Sequence, residues 1–190
     1  QGGLTAVERI GELLEQPLEI VESRDAVPLG SNGSGEVVFE NVSFRYRPDE
    51  PILSDLSFRI APGEHVALVG PTGSGKTTVI RLLCRLYEPQ RGRILLDGRD
   101  IRELPIADLR RQLGVVLQDT FLFSGNVADN LRLNAEISNS YLTRVCRDLG
   151  LESLLARLPD GLQTELRERG GNLSSGERQL LAVARVAIRD

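Results

Sequence analysis

Eight consecutive residues restrict what this chain can fold into more than any other feature. Residues 70 to 77 read Gly-Pro-Thr-Gly-Ser-Gly-Lys-Thr, which fills the phosphate-loop pattern Gly-x-x-x-x-Gly-Lys-[Ser/Thr] at every required position. Residues 65 to 70 have the composition of a short buried strand, and apolar residues follow the loop at helical spacing, at Val79, Leu82, Leu83 and Leu86. Strand, loop and helix in this order direct backbone N–H groups and the positive end of a helix at an anion. The sequence therefore predicts a nucleotide site.

The residues of the loop have expected roles. The Lys76 ammonium is expected to reach the outer phosphates and to take part in catalysis, and the Thr77 hydroxyl is expected to bind Mg²⁺. Lys76 is also the only lysine among 23 basic residues, so lysine occurs only where a compact ammonium suits a phosphate. The predicted nucleotide contacts are Gly70, Thr72, Gly73, Ser74, Gly75, Lys76, Thr77 and Thr78. The alternative, a glycine-rich turn that matches by accident, is expected in about one chain in a hundred of this length.

Composition narrows the class of protein. With 190 residues, 41% of them hydrophobic, the chain can bury one sizeable core, which favours a single domain with an appendage. Its net charge of −4 argues against a surface that coats nucleic acid. Cys84 and Cys146 fit neither a metal site nor a redox pair, so we expect reduced core residues in a cytosolic compartment. No run of about 18 apolar residues is present, and the absence of methionine leads us to expect a fragment or a processed chain.

The residues before the loop predict an appendage followed by a sheet. Residues 4 to 15 have apolar positions three and four apart, typical of an amphipathic helix that ends near Pro17. Residues 22 to 35 have the polar, glycine- and proline-containing composition of a linker. Residues 36 to 46 and 52 to 60 are rich in β-forming residues and are separated by a turn. They predict an antiparallel sheet beside the nucleotide core.

The residues after the loop predict further strands and a helical insert. Residues 92 to 98 indicate a strand leading into a turn, and residues 107 to 112 indicate a short helix. Residues 115 to 118 predict a buried strand whose last side chain, Gln118, is polar. The pattern of residues 126 to 158 is helical, with an expected buried set of Val127, Leu131, Leu142, Val145, Leu149, Leu154 and Leu155.

The chain resembles the nucleotide-binding domain of an ATP-binding-cassette (ABC) transporter of the exporter type in four features that follow the family's order. They are Tyr46, the loop at residues 70 to 77, Gln118, and Leu173-Ser174-Ser175-Gly176-Glu177. The segment that ends at Tyr46 is similar to the family's aromatic loop, whose tyrosine stacks on adenine. Residues 116 to 125 resemble the exporters' Q-loop segment, and residues 164 to 170 resemble their X-loop, which favours an exporter over an importer. The resemblance covers nearly the whole chain.

This resemblance implies an α/β fold, namely a P-loop NTPase (RecA-like) core with an antiparallel β subdomain and an α-helical subdomain at about residues 120 to 175. Residues 1 to 34 would be the tail of a transmembrane domain and a linker, and residues 35 to 190 an incomplete ABC ATP-binding domain. The implied cofactors are ATP and Mg²⁺, with Gln118 as a catalytic residue that touches the metal or the attacking water. Taken alone, Tyr46 would more often be a packing residue at the end of a strand.

The segment before the last predicted helix departs from the family's usual Leu-Ser-Gly-Gly-Gln. The resemblance implies nucleotide contacts from a second subunit by Ser174, Ser175, Gly176 and Glu177, with Ser174 donating a hydrogen bond to the γ-phosphate. Ser175 replaces a glycine and Glu177 replaces the glutamine, so a carboxylate near the phosphate is expected to weaken the contact. Without the resemblance, Ser174-x-x-Glu177 predicts an ordinary capping box at the start of a helix.

In the family, further catalytic groups come after a helix like this last one. The Mg²⁺-supporting aspartate, the catalytic glutamate and the γ-phosphate-sensing histidine are therefore expected beyond Asp190. His65, the only histidine, is expected to be structural. We expect the chain on its own to bind nucleotide poorly and to hydrolyse none.

The function implied by the resemblance is ATP binding and hydrolysis that power export of a substrate across a membrane. The expected partners are a second nucleotide-binding domain, in a homodimer or a heterodimer, and a transmembrane domain of the same or a partner chain, with no nucleic acid. The expected location is the cytoplasmic face of the cell's inner membrane. The alternative is a soluble ABC-type ATPase acting as a mechanical clamp on nucleic acid or the ribosome, although such clamps usually show long coiled-coil or basic arms. A small-molecule kinase is a weaker alternative, because it does not explain residues 173 to 177.

Overall fold

The computed structural model describes residues 20–23, 25–30, 33–117 and 120–189, together with Arg9. Gln118 and, apart from Arg9, the helix predicted at residues 4 to 15 lie outside these described residues. The chain divides into two compact units, Gln1–Leu113 and Gly114–Asp190. Within the described stretches, no helix has the length and apolar character needed to cross a membrane.

The first unit contains the predicted antiparallel sheet. Its strands are β1 (Val37–Arg47), β2 (Glu50–Ile60), β3 (Arg91–Leu96) and β4 (Arg99–Asp100), in the spatial order β2-β1-β3-β4 with antiparallel neighbours. The expectations for residues 36 to 46, 52 to 60 and 92 to 98 are thus confirmed, with small shifts at their ends.

A bulge in β1 keeps its apolar side chains on the buried face. Phe39 is buried, Asn41 has a φ of +49°, and Val42 and Phe44 are buried in turn. The register against both neighbouring strands shifts at this point, because one extra residue enters the strand. Gly92 faces the bulge with a φ of +80°, and a Cβ atom there would collide with the carbonyl oxygen of Asn41.

Two helices accompany the sheet among residues 20 to 113 that the structure describes. They are α1 (Lys76–Leu83) and α2 (Ile106–Arg111), with a 3-10 turn at Ile101–Glu103. The predicted helix at residues 107 to 112 is confirmed within one residue. The core of this unit consists of Val37, Phe39, Val42, Phe44, Leu53, Val79, Leu82, Ile94, Leu96, Ile101, Leu104 and Leu109.

The end of α1 carries an arginine where helices usually have glycine. Arg85 has a φ of +49°, and the amide of Arg85 donates to the Leu82 carbonyl while the amide of Leu86 donates to the Arg81 carbonyl, each at 2.9 Å. The Arg85 side chain is only 2% exposed. Its guanidinium donates to the carbonyl of Leu104 at 3.0 Å and to the carboxylate of Glu88 at 2.9 Å. These bonds offset the backbone strain and fix the end of α1.

Asp97, in the turn between β3 and β4, holds the last residues of the linker. Its carboxylate accepts from the Ser34 hydroxyl at 2.5 Å and from the Glu36 amide at 2.9 Å. Partial burial acts to raise the pKa of Asp97, but these hydrogen bonds together lower it below its ordinary value. The linker is therefore tied to the sheet by a charged side chain.

Two predicted strands are wrong. Residues 65 to 70 and residues 115 to 117 form neither helix nor strand, and side chains expected to be buried are exposed, Val69 by 89% and Leu117 by 65%. A strand exists only by pairing with another strand. In the part of the chain that the structure describes, neither segment belongs to a sheet.

The second unit is mainly helical, as predicted for the insert. It contains α3 (Val127–Arg132), α4 (Asn139–Asp148), α5 (Glu152–Arg157) and α6 (Ser175–Ala187), and the strands β5 (Gly125–Asn126) and β6 (Glu165–Leu166). Its core includes Leu122, Val127, Leu131, Leu142, Val145, Cys146, Leu154, Leu173, Leu181 and Ala184.

The expected buried set of this unit is largely confirmed. Leu149 is the exception, since it caps the end of α4 and is 37% exposed, while Leu155 is partly buried against the core. Both cysteines are free; Cys146 is buried and Cys84 partly so, and burial raises the pKa of each thiol. The expected core position is confirmed for Cys146, whereas Cys84 is unpaired but only partly buried and lies outside the core.

Candidate nucleotide-binding site

The phosphate loop ends at Gly75, immediately before α1. Gly75 has a φ of +85°, and a Cβ atom there would lie 2.7 Å from the Leu53 side chain of β2. Only glycine combines this backbone conformation with this close approach. The sheet and the loop therefore meet at the residue that begins the helix.

The N-terminal end of α1 has no side-chain cap. The first hydrogen bond within the helix runs from the Val79 amide to the Gly75 carbonyl at 3.0 Å. The N–H groups of residues 76 to 78 come before it and therefore have no carbonyl partner within the helix. Such groups carry the positive end of the helix dipole. This end is suited to an anion.

Lys76 lies across the mouth of the loop. Its ammonium donates to the carbonyl oxygens of Gly70 at 2.8 Å and Pro71 at 2.7 Å, and to the Ser74 hydroxyl at 3.3 Å. The chain's one lysine thus adds a full positive charge at the end where the helix dipole is already positive. That Lys76 reaches the phosphates of a nucleotide and takes part in catalysis stays a prediction.

An arginine of α2 binds the opposite end of the same helix. Arg110 of α2 donates to the Cys84 carbonyl at 3.1 Å and to the Arg85 carbonyl at 3.0 Å. Cations at the C-terminal end of a helix are stabilising, because they face its partial negative charge. The orientation of α1 is therefore fixed at the end remote from the loop.

The residues near the loop fit a magnesium ion bound with few protein ligands. Thr77 is exposed beside Lys76, and its hydroxyl is a hard oxygen of the kind that Mg²⁺ accepts together with phosphate oxygens and water. Among the described residues, no cluster of three or more His, Cys, Asp or Glu side chains is arranged to hold a metal. The second predicted ligand, Gln118, lies outside the described residues.

The structure brings Tyr46 next to the phosphate-loop helix. The Tyr46 hydroxyl lies 3.2 Å from the hydroxyl of Thr78 and 3.2 Å from a guanidinium nitrogen of Arg81. Thr78 is buried, so its side chain faces the sheet instead of the loop mouth. Tyr46, Thr78 and the loop therefore lie in one neighbourhood, as the base and phosphate contacts of one nucleotide require.

The Ser174 segment opens α6 with a capping box. The Ser174 hydroxyl accepts from the Glu177 amide at 3.3 Å, and the Glu177 carboxylate accepts from the Ser174 amide at 2.8 Å and from its hydroxyl at 2.9 Å. The capping box predicted from the spacing is confirmed. Whether Ser174, Ser175, Gly176 and Glu177 also contact nucleotide stays a prediction.

Arg157 of α5 pairs with the other oxygen of this carboxylate at 2.8 Å. The Ser174 amide and hydroxyl lower the pKa of Glu177, and the Arg157 charge lowers it further. The carboxylate therefore points toward its own helix terminus and a cation, so its negative charge is partly balanced within the chain.

A second arginine network in this unit has no signal in the sequence. Arg185 of α6 donates to the Phe121 carbonyl at 2.6 Å and to the side-chain oxygen of Asn130 at 2.6 Å. Asn130 is buried and also accepts from the Phe123 amide at 2.8 Å. Arg185 thus holds the segment that follows Gln118, and among 23 basic residues no spacing distinguishes it.

Comparisons with known proteins identify the family of the chain. Residues 53–190 match the family profile described as ABC transporter. The chain is 45% identical over 190 residues to the mitochondrial iron-sulfur clusters transporter ATM1 of Kluyveromyces lactis, covering 98% of this chain and 26% of that protein. It is 41% identical over 189 residues to a fatty acid ABC transporter ATP-binding/permease protein of Mycobacterium tuberculosis, covering 99% of this chain and 30% of that protein.

A solved structure of a bacterial Atm1-family ABC exporter with ATP bound superimposes with a TM-score of 0.90 at 38% identity, covering 100% of this chain and 33% of that chain. The chain spans 26% of the length of the first curated relatives, so it matches about a quarter of each. The P-loop NTPase fold inferred from the sequence is confirmed. Because the family profile matches residues 53–190 and a relative that is 45% identical aligns with 98% of the chain, the chain belongs to the ABC transporter family.

Proposed function

We propose that this chain is the nucleotide-binding part of an ABC exporter, in which it binds ATP with Mg²⁺ and takes part in hydrolysis that drives transport across a membrane. The observation that carries the proposal is the Lys76 ammonium, which lies across the loop mouth at the uncapped end of α1. A lone ammonium at such a helix end is suited to the outer phosphates of a nucleoside triphosphate.

The chemistry proposed for the loop is charge neutralisation. Its N–H groups and Lys76 bind the phosphate oxygens, and they stabilise the charge that develops when water attacks the γ-phosphate in line. Thr77 and Gln118 would hold Mg²⁺, which when bound offsets further negative charge on the phosphates. Tyr46 offers an aromatic face for the adenine, worth about 1–3 kcal/mol by analogy with other base contacts.

We propose a second nucleotide-binding domain and a transmembrane domain as partners. Residues 174 to 177 of one copy would contact nucleotide on the other, with Ser174 as donor. Such a contact requires the Ser174 hydroxyl to exchange the Glu177 carboxylate for a phosphate oxygen. The cost of this exchange is reduced because Arg157 remains as a partner for the carboxylate.

The proposed location is a membrane, with this chain on the side that holds ATP. One relative is named as mitochondrial and another is mycobacterial, so this is broader than the cell's inner membrane expected from the sequence. The two relatives are named for different cargoes, and we assign none to this chain. The relatives and the solved structure named above are transporters, and no observation favours a clamp on nucleic acid or the ribosome.

The proposal is tested with the full-length polypeptide that contains this chain, reconstituted in lipid vesicles. We expect ATP hydrolysis in the unaltered protein and its loss in Lys76→Ala, with hydrolysis retained in Arg59→Ala, which removes a positive charge from an exposed pair with Glu36 on the sheet. ATP hydrolysis that persists undiminished in Lys76→Ala would contradict the proposed role of the loop.

A further inference from the structure

The hydroxyl of Tyr46 joins the sheet to the phosphate-loop helix. Tyr46 is near the end of β1, and its hydroxyl is within 3.2 Å of both Thr78 and Arg81, which lie on successive turns of α1. Arg81 is exposed, and its hydrogen bond with Tyr46 raises the pKa of the guanidinium. Neither contact is needed for a tyrosine that serves only as an aromatic face.

Two neighbouring aromatic side chains pack against the ring of Tyr46, in addition to the contacts that its hydroxyl makes. Phe44 packs edge-on against it with centroids 4.8 Å apart at 90°, and Tyr87 does so at 5.1 Å and 85°. Edge-on pairs of this kind fix ring orientation as well as position. Tyr46 nevertheless stays 40% exposed as a residue, so part of its surface remains accessible to a ligand.

We infer that Arg81 is a positioning residue which, together with Thr78, holds the Tyr46 ring at a set angle and links the base platform to the phosphate-loop helix. This inference rests on the proposed function, in which Tyr46 stacks on the base. A ring held before the nucleotide arrives loses less freedom on binding than a ring that rotates. Base affinity then depends on the Tyr46 hydroxyl, although the hydroxyl does not touch the base.

The test measures two ligands on the full-length polypeptide with Mg²⁺ present: ATP, and inorganic tripolyphosphate, which has no base. Tyr46→Phe keeps the ring and removes the hydroxyl. We expect it to weaken ATP binding about three- to tenfold, the factor that corresponds to roughly one net hydrogen bond. Tripolyphosphate affinity should stay unchanged, because the loop is intact.

The matched control is Tyr87→Phe. It removes a hydroxyl from the ring packed against Tyr46, and no hydrogen bond of the Tyr87 hydroxyl is present among the described residues. We expect both affinities to stay at the level of the unaltered protein. Melting temperatures of all variants are measured in parallel, since loss of stability alone would lower the folded fraction for both ligands equally.

Arg81 is tested through its coupling to Tyr46. Arg81→Ala should weaken ATP binding about two- to threefold, Arg81→Lys should restore part of this, and the double variant should bind ATP as Tyr46→Phe does. Equal ATP affinity in Tyr46→Phe and the unaltered protein would overturn the inference, as would fully additive effects of the two changes. If the unaltered protein binds neither ligand, the proposed function is overturned and the inference with it.

Discussion

Two helices of this chain begin in opposite ways. At the start of α1, Gly75 offers no side chain, so the first N–H groups are left for a ligand, and the ammonium of Lys76 lies across the mouth of the same loop. At the start of α6, Ser174 and Glu177 satisfy each other's groups within the chain. An anion at α1 meets positive charge, whereas an anion at α6 must first displace a carboxylate. The start of α1 therefore leaves donors free for the proposed anion site, whereas the start of α6 is a closed cap that a partner would have to open.

The largest expected effect comes from removing the positive charge of Lys76 at the uncapped start of α1. Lys76→Ala should weaken ATP binding by about a hundredfold or more, because several charge-assisted hydrogen bonds to phosphate are lost together. Equilibrium binding of a non-hydrolysable ATP analogue measures this. Arg59→Ala, which removes one exposed charge from the same unit, should bind as the unaltered protein does.

Gly75→Ala should destabilise the start of α1, because it adds a side chain where there is no room for one. The new Cβ would be strained by the φ of +85° and would lie 2.7 Å from Leu53, so we expect a loss of roughly 2–5 kcal/mol of stability. Gly73→Ala is the matched control, since Gly73 has the same φ but nothing within 4 Å of its Cβ position. It should lose only about 1–2 kcal/mol. Chemical denaturation of both variants makes the comparison, and equal losses would mean that the contact with Leu53 is not needed.

Ser174→Ala should remove the capping box at the start of α6. It removes the hydroxyl that bonds with both the amide and the carboxylate of Glu177, and we expect a loss of about 1–2 kcal/mol. Ser138→Ala removes the cap of α4, whose serine hydroxyl accepts from the Tyr141 amide and lies 2.9 Å from the Ser140 hydroxyl, with no carboxylate bonded back to it among the described residues. That change should cost about 0.5–1 kcal/mol. If the two losses are the same, the reciprocal carboxylate adds nothing to the cap.

A smaller effect should appear on lowering the pH. The pKa of Glu177 is lowered in the folded chain, so its contribution to stability is present above its unfolded pKa and is lost as the pH falls through the folded value. Glu177→Gln should therefore show a shallower acid loss of melting temperature than the unaltered protein. Asp97 and Asp100 also have lowered pKa values, so the melting temperature of the variant should still fall to some extent at acid pH. An identical acid profile would show that the carboxylate is not held at the cap.

The sequence predicts features that depend on neighbours along the chain. The loop motif fixes where α1 begins, and the spacing of Ser174 and Glu177 fixes the cap of α6. The wrong strands at residues 65 to 70 and 115 to 117 have the composition of buried strands, but composition does not supply a pairing partner. Local patterns alone cannot show whether such a segment is covered.

The arginine contacts join distant parts of the chain, so local sequence patterns do not predict them. Arg157 meets Glu177 across 20 positions, and Arg185 meets Asn130 across 55. Arg85 is the one that an unusual local pattern could have indicated, because an arginine occupies the position after a helix where glycine is usual. Only the folded chain shows that this arginine is buried and bonded.

Amide hydrogen exchange on the full-length polypeptide tests most directly whether the uncapped end of α1 is the anion site. ATP with Mg²⁺ should slow exchange in the peptide that spans residues 71 to 80, because the loop N–H groups then donate to phosphate. The slowing should disappear in Lys76→Ala and persist in Arg59→Ala. No change in this peptide when ATP binds, or equal slowing in Lys76→Ala, would contradict the account.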